Sequence, residues 1–240
     1  MKDTSSAVVL EKRKLGFGSI ALGLMSLVGL PLSLFLSAGK WNWREGWVYV
    51  IVLMASTVAS RVLMSIKNPG LASERAHSIS AGNVKQWDKW LMPYVAVFGP
   101  LFVFVVAGLD ERFGWKPQVP LWLELTGIMV ILAAVALSTW AMVVNRFFSG
   151  TVRIQTERGH QVIINGPYHF VRHPGYLGGV ISYLAMPLIL GSVWAYIPAG
   201  VGIVVTVLRT WFEDMTLQKE LPGYQEYTKK TTKKLIPGIW

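Results

Sequence analysis

The sequence predicts an all-α integral membrane protein of about six transmembrane helices, with a C-terminal helical hairpin and a polar C-terminal cap. Three observations predict it. The 240 residues are 52% hydrophobic and only 15% charged, with a mean hydropathy of +0.44, too apolar for an ordinary soluble domain. Several runs reach the roughly 20 apolar residues a spanning helix needs. Lys and Arg are segregated: with the spans drawn below, nineteen fall on one side and four on the other.

Six spans follow in order: Leu15–Leu36, Gly46–Ile66, Trp90–Leu109, Pro120–Val144, Gly175–Ser192 and Val193–Phe212. The first follows a basic tail (Lys2, Lys12, Arg13, Lys14) and contains Pro31. It is longer than the apolar core of a secretory signal and is expected to remain as an uncleaved span. The last two have almost no connection between them and form the expected hairpin. Eleven Trp and eight Tyr suit aromatic belts at the two membrane surfaces. The basic side holds the N-terminal tail, the 61–89 region, the 146–172 region and the C-terminal segment, whereas the other holds Lys40, Arg44, Arg112 and Lys116. The positive-inside bias therefore puts both termini in the cytoplasm.

The same bookkeeping excludes other classes. The formal charge of +10 sits at the ends of apolar runs, so it orients helices and no nucleic-acid partner is expected. The absence of cysteine rules out disulfides, thiolate catalysis and Cys-ligated metal. The histidines at 77, 160, 169 and 173 show no zinc spacing, so no metal site is expected. Gly16-x-Gly18 lacks the third glycine of a dinucleotide fingerprint, and no hydrolase elbow is present. The chain is expected to form one membrane domain, four spans over 1–144 followed by a core over 145–240 that carries most of the unusual polar residues.

Within that core, three stretches stand out. Residues 166–176 read Gly-Pro-Tyr-His-Phe-Val-Arg-His-Pro-Gly-Tyr. Pro174 drives His173 out of the helical region and suits the first turn of the next helix, so the imidazole is presented at a helix mouth. Arg172 and Tyr176 flank it, and Gly178-Gly179 allow close approach of another helix or a flat ligand. The second stretch is Arg209-x-x-x-Glu213-Asp214-x-x-Leu217. Arg209 and Glu213 share a helix face, and acids near a helix C-terminus oppose the dipole. This pattern fits either a snorkelling Arg beside a solvated helix end or a ligand site. The third is the connector Thr151–Tyr168, in which Val162-Ile163-Ile164 folds back towards the helix mouths and Asn165-Gly166-Pro167 marks a turn.

Taken in register, these pieces resemble the isoprenylcysteine carboxyl methyltransferase family, which belongs with the phospholipid methyltransferases. The resemblance rests on His160-x-Val162-Ile163, Gly166-Pro167-Tyr168, Arg172-His173-Pro174-Gly175-Tyr176, Arg209 to Leu217, and Gly223-Tyr224-x-x-Tyr227. It covers roughly residues 145–240. Asp214 stands where the family has a second Glu, and Leu221-Pro222-Gly223 where it often has Phe-Gly.

The resemblance implies S-adenosyl-L-methionine held at the cytoplasmic membrane face. Carried over by position, Gln155, His160, Val162, Ile163, Tyr168, His173, Pro174, Gly175, Tyr176 and Glu213 would line that cofactor. Arg209 would face the carboxylate of a methyl acceptor, and His173 or a Tyr would serve as base where the acceptor must lose a proton. The acceptor would be a lipid-like small molecule, with a prenylated cysteine carboxylate as the family's namesake. Two other readings stand beside this one: a membrane sterol-type reductase using a nicotinamide, and a transporter or structural membrane protein.

Overall fold

The computed structural model describes residues 21, 23–78, 83–115 and 117–240. The basic tail and the first residues of the first expected span lie outside them, as does Lys116. The described chain is helical and contains no sheet; an isolated antiparallel bridge joins Gln118 to Ser192. The helices are α1 (Met25–Ala38), α2 (Arg44–Lys67), α3 (Leu71–Ser78), α4 (Asp88–Phe113), α5 (Leu121–Val144), α6 (Pro174–Ile189), α7 (Tyr196–Glu220) and α8 (Tyr224–Lys230).

Among the described residues, α2, α4 and α5 are the helices long and apolar enough to cross a membrane. The sequence reading gave six spans, so the agreement is partial. Helices α1 and α6 are apolar but shorter than 18 residues. Helix α7 runs to Glu220 instead of ending near Phe212. Its last turns carry Arg209, Glu213, Asp214, Lys219 and Glu220, so the acids sit within a continuous helix and not just beyond one. The expected hairpin is present, α6 turning into α7 through Gly191 at φ 68°. Helix α7 stops where Leu221 becomes extended and Gly223 takes φ 81°.

Glycine sets the closest approaches. A Cβ on Gly178 of α6 would lie 2.1 Å from the Ser138 hydroxyl and 2.7 Å from the Ala134 carbonyl of α5. At the other end of the pair, a Cβ on Gly127 of α5 would lie 2.8 Å from Leu188. Without a hydrophobic drive between helices in lipid, such contacts provide the packing. The Tyr183 ring lies on Gly202 of α7, where a Cβ would come within 2.4 Å.

A break in α4 explains where the Tyr183 hydroxyl goes. Pro93 is followed by a π turn over Tyr94–Phe98, and the Gly99 N–H donates to Tyr94 O. Pro100 has no N–H, so the Val95 carbonyl lacks a helical donor. The Tyr183 hydroxyl supplies one at 3.1 Å. A backbone group left open in an apolar bundle is costly, and one phenol from α6 closes it.

The two ends of the bundle differ. At one, Arg44 bridges Glu45 at 2.5 Å and Glu124 at 2.7 Å, and Ser192 donates to the buried α4 acid Asp110 at 2.5 Å. At the other lie the C-termini of α2, α5 and α7 and the N-termini of α4 and α6, tied by Asn68 to the Met142 carbonyl at 3.1 Å and by Lys85 to Glu220 at 2.6 Å. Every motif singled out above lies at this second end. Between the ends, Ile51, Val58, Val62 and Ile66 of α2 and Leu125 and Met129 of α5 are exposed, as faces turned to lipid require.

Candidate active site

The cavity at that polar end has a volume of about 350 Å³ and is lined by side chains far apart in the chain. Its walls come from α3 and α4 (Arg75, Met92, Ala96), the α5–α6 connector, the start of α6, the last turns of α7, and α8. Each wall has a local cause. Pro174 starts α6 and leaves His173 at φ −127°, ψ 61°, outside the helix as its position before proline requires. Gly175 must lack a side chain, because a Cβ there would lie 2.8 Å from the Phe148 ring. Gly166 at φ 60° turns the connector against Val144 and Trp140, which brings Val162, Ile163 and Tyr168 onto the cavity.

His160, Val162, Ile163, Tyr168, His173, Pro174, Gly175, Tyr176, Arg209 and Glu213 all line this one cavity. The imidazole of residue 173 and the carboxylate of residue 213, 40 positions apart in sequence, therefore share a space. Gln155 does not line it, which corrects its expected place. It is fully buried behind the wall, its amide donating to the Phe147 carbonyl at 2.6 Å and accepting from Arg158 at 2.5 Å. Its side chain is consumed in holding the connector, and its backbone N–H meets His160 Nδ1 at 3.3 Å.

Arg209 also differs from expectation. Its Nε and Nη2 donate to the two carboxylate oxygens of Asp88 at 2.6 and 3.0 Å, and Nη2 donates again to the Gly150 carbonyl at 2.9 Å. The fork that was to grip an acceptor carboxylate is already filled. Asp88 is fully buried and also accepts the Val152 N–H at 2.6 Å, so the pair ties α7, α4 and the connector together. Arg209 still bounds the cavity, with its guanidinium 5.2 Å from the centre of the Tyr176 ring.

A second network surrounds Asp214, which is also fully buried. It accepts from Arg172 Nε at 2.8 Å and Nη2 at 3.0 Å, His173 Nε2 at 3.1 Å, the Tyr224 hydroxyl at 3.1 Å and Gln218 at 2.7 Å. Burial works against its charge, but the bonds and charges of His173 and Arg172 outweigh it and hold the carboxyl below its usual range. Because the ionised carboxylate only accepts, the network puts a proton on His173 Nε2. Arg172 also donates to the Thr231 and Thr232 carbonyls at 3.0 and 2.8 Å. Backbone bonds from Arg172 and His173 to the Lys233 and Lys234 carbonyls, both 2.9 Å, fasten the C-terminal segment to the entrance of α6.

Glu213 differs from its neighbour in sequence. It is only partly buried, faces the cavity, and accepts the Tyr176 hydroxyl at 2.5 Å. Of the two adjacent acids, one holds the fold and the other is turned to the space. His160 stacks near the Phe147 ring at 4.7 Å. Burial, then the charges of Arg153 and Arg158, push its imidazole down to about 4, so it is neutral at pH 7 and can offer hydrogen bonds but no charge.

The sequence reading missed Arg75, Asp88, Asn145, Phe147, Phe148 and Arg153. Arg75 and Asp88 stood in loop regions assigned only to membrane orientation. A signal was available for Asp88 alone: with Lys89 it directly precedes the charge-free apolar run Trp90–Leu109.

Comparison with known proteins gives two findings. Residues 122–222 match the model of the phospholipid methyltransferase family. That stretch runs from α5 to the Pro222 turn and includes the connector, His173, Arg209 and Glu213. The chain is also similar to the Delta(14)-sterol reductase TM7SF2 of Mus musculus, 33% identical over 95 residues. The similarity covers 38% of this chain and 23% of the reductase, so the chain spans less than a quarter of that relative's length.

Proposed function

We propose that the chain is a membrane methyltransferase that uses S-adenosyl-L-methionine to methylate an apolar, membrane-partitioned small acceptor. The observation that carries this reading is the convergence of His173, Tyr176, Glu213 and the Val162-Ile163 wall on one cavity, within the stretch that matches a methyltransferase family. A volume of about 350 Å³ lies within the range of small-molecule sites, roughly 300–1,000 Å³. The lining chemistry fits such a donor. Val162 and Ile163 offer an apolar wall for a flat base, and Glu213 is a partly buried anion suited to hydroxyl or ammonium groups.

Bound there, the donor would supply a sulfonium methyl, whose carbon bonds to the acceptor's lone pair as the C–S pair returns to sulfur. The chain's own part is to bind, orient and exclude water. Glu213, fixed by Tyr176, would orient the donor. His160 would hydrogen-bond without adding positive charge beside a cation. The C-terminal segment, fastened by Arg172 and His173, would keep water out. An acidic acceptor is already nucleophilic and needs no base. For an amine or thiol acceptor, the imidazole of His173, which lines the cavity, is the candidate to take a proton.

Under this reading the cavity opens towards the cytoplasm, both termini are cytoplasmic, and the acceptor arrives from the surrounding membrane lipid. Calorimetry with S-adenosylhomocysteine tests it. The wild-type protein binds S-adenosylhomocysteine and Glu213→Ala does not. The similarity to a sterol reductase favours a second reading, in which the same cavity takes a reduced nicotinamide. Binding of NADPH in place of S-adenosylhomocysteine would select that reading.

A further inference from the structure

Among the described residues, one cation on the cavity wall has no paired carboxylate. Arg75 of α3 lines the cavity, and its Nη1 is buried with no hydrogen-bond partner among them. Its guanidinium lies 5.0 Å from the centre of the Phe148 ring, the ring that also forces Gly175 to lack a side chain. Among the described residues no carboxylate pairs with it. Arg153 offers a contrast on the same wall. It also has a buried unpartnered nitrogen, Nε, but its two terminal nitrogens hold Glu74 and Glu157, so its charge is balanced.

An orphaned buried guanidinium nitrogen is costly. The cost here is compounded: burial, then the charges of Arg209 and Arg61, bring Arg75 down to about 10. The Asp88 carboxylate is committed to Arg209 in two-point geometry, and Glu213 accepts the Tyr176 hydroxyl. Arg75 therefore puts a cation without an ion-pair partner among the described residues on the cavity wall, held on an aromatic face. Planar forked donors of this kind match carboxylates.

We propose that Arg75 is the carboxylate receptor of this cavity, its guanidinium taking the carboxylate of a bound ligand. This inference rests on the methyltransferase reading, which allows two sources of that group: the amino-acid end of the donor, or an acidic acceptor. It transfers to Arg75 the role that Asp88 denies Arg209.

The test uses the full chain in detergent and four probes: S-adenosylhomocysteine, 5′-methylthioadenosine (which lacks the amino-acid end), N-acetyl-S-farnesylcysteine, and its carboxamide. Affinities are measured for the wild type, Arg75→Met and Arg75→Lys. If the donor supplies the carboxylate, Arg75→Met weakens S-adenosylhomocysteine on the order of 10- to 100-fold, the size of a charge-assisted bond, and leaves methylthioadenosine unchanged. If the acceptor supplies it, both nucleosides are unchanged and the farnesylcysteine weakens by that factor while its carboxamide does not. Arg75→Lys keeps the charge without the fork and shows the same selectivity with a smaller loss, so it carries the test should Arg75→Met fail to fold. Variants that bind all four probes as the wild type does overturn the proposal. A wild type that binds neither nucleoside overturns the methyltransferase reading itself, and the proposal with it.

Discussion

The carboxylate of Asp88 and the guanidinium of Arg209, 121 positions apart, form a two-point ion pair with contacts of 2.6 and 3.0 Å in which both side chains are buried. It joins the start of α4 to the middle of α7 and, through Val152 and Gly150, to the connector between α5 and α6. Removing one partner leaves an uncompensated charge in a closed site, at a cost of about 3–5 kcal/mol. Asp88→Ala is therefore expected to lower unfolding stability in detergent by about that amount. Asp88→Asn combined with Arg209→Gln should lose less than the sum of the two single changes. Additive losses in that cycle would mean that the pair is not a unit.

Glu213 and Tyr176 give a different outcome because they face the cavity. Tyr176→Phe removes one donor to a partly buried carboxylate at the cavity, so the fold should persist. Affinity for S-adenosylhomocysteine should fall about tenfold, equivalent to about 1.4 kcal/mol. Calorimetry beside a melting curve separates this from general destabilisation, which would lower both.

Arg172 holds the C-terminal segment through two carbonyls as well as Asp214. Arg172→Lys keeps the charge but loses the fork. Residues 229–234, with lysines at 229, 230, 233 and 234, should then become open to trypsin at concentrations that leave the wild-type segment intact. Equal protection of both proteins would show that the backbone bonds to Lys233 and Lys234 suffice.

The neutral state of His160 predicts a pH dependence. Its folded value is about 4 against about 6.5 in an unfolded chain. Between these values the unfolded chain binds the extra proton, so stability rises with pH across the window and falls as pH drops from 6.5 towards 4. His160→Phe should flatten that part of the stability profile. Asp214, held below the carboxylate range, contributes only to losses at lower pH. A profile unchanged by the substitution would show that other groups cause the slope.

Much of the site was legible because its polar residues are unusual for their surroundings. An Arg-His-Pro-x-Tyr run between apolar stretches, and two acids late in an apolar helix, stand out against lipid-compatible sequence. What stayed hidden was how those residues are paired. Asp88 and Arg75 look like ordinary loop charges beside a span, and no local pattern shows that one neutralises Arg209 while the other is left without a partner. Gln155 failed as a cavity residue for the same reason. Its type suits a ligand contact, but whether a buried amide meets a ligand or a backbone carbonyl depends on contacts made across the fold.

The sequence by itself determined that this chain is helical and membrane-compatible, that its polar motifs gather at one end of the bundle, and that residue 173 sits at a helix mouth. Each of these follows from local physics: hydropathy over about 20 residues, charge segregation, and the steric rule before proline. Only the tertiary structure decided that of two adjacent acids Asp214 is structural and Glu213 faces the cavity, that Arg209 is already paired, and that Arg75 is not. A charge's role in a low-dielectric site depends on which opposite charge lies within a few ångströms, and here those partners come from 40 to more than 100 residues away in sequence.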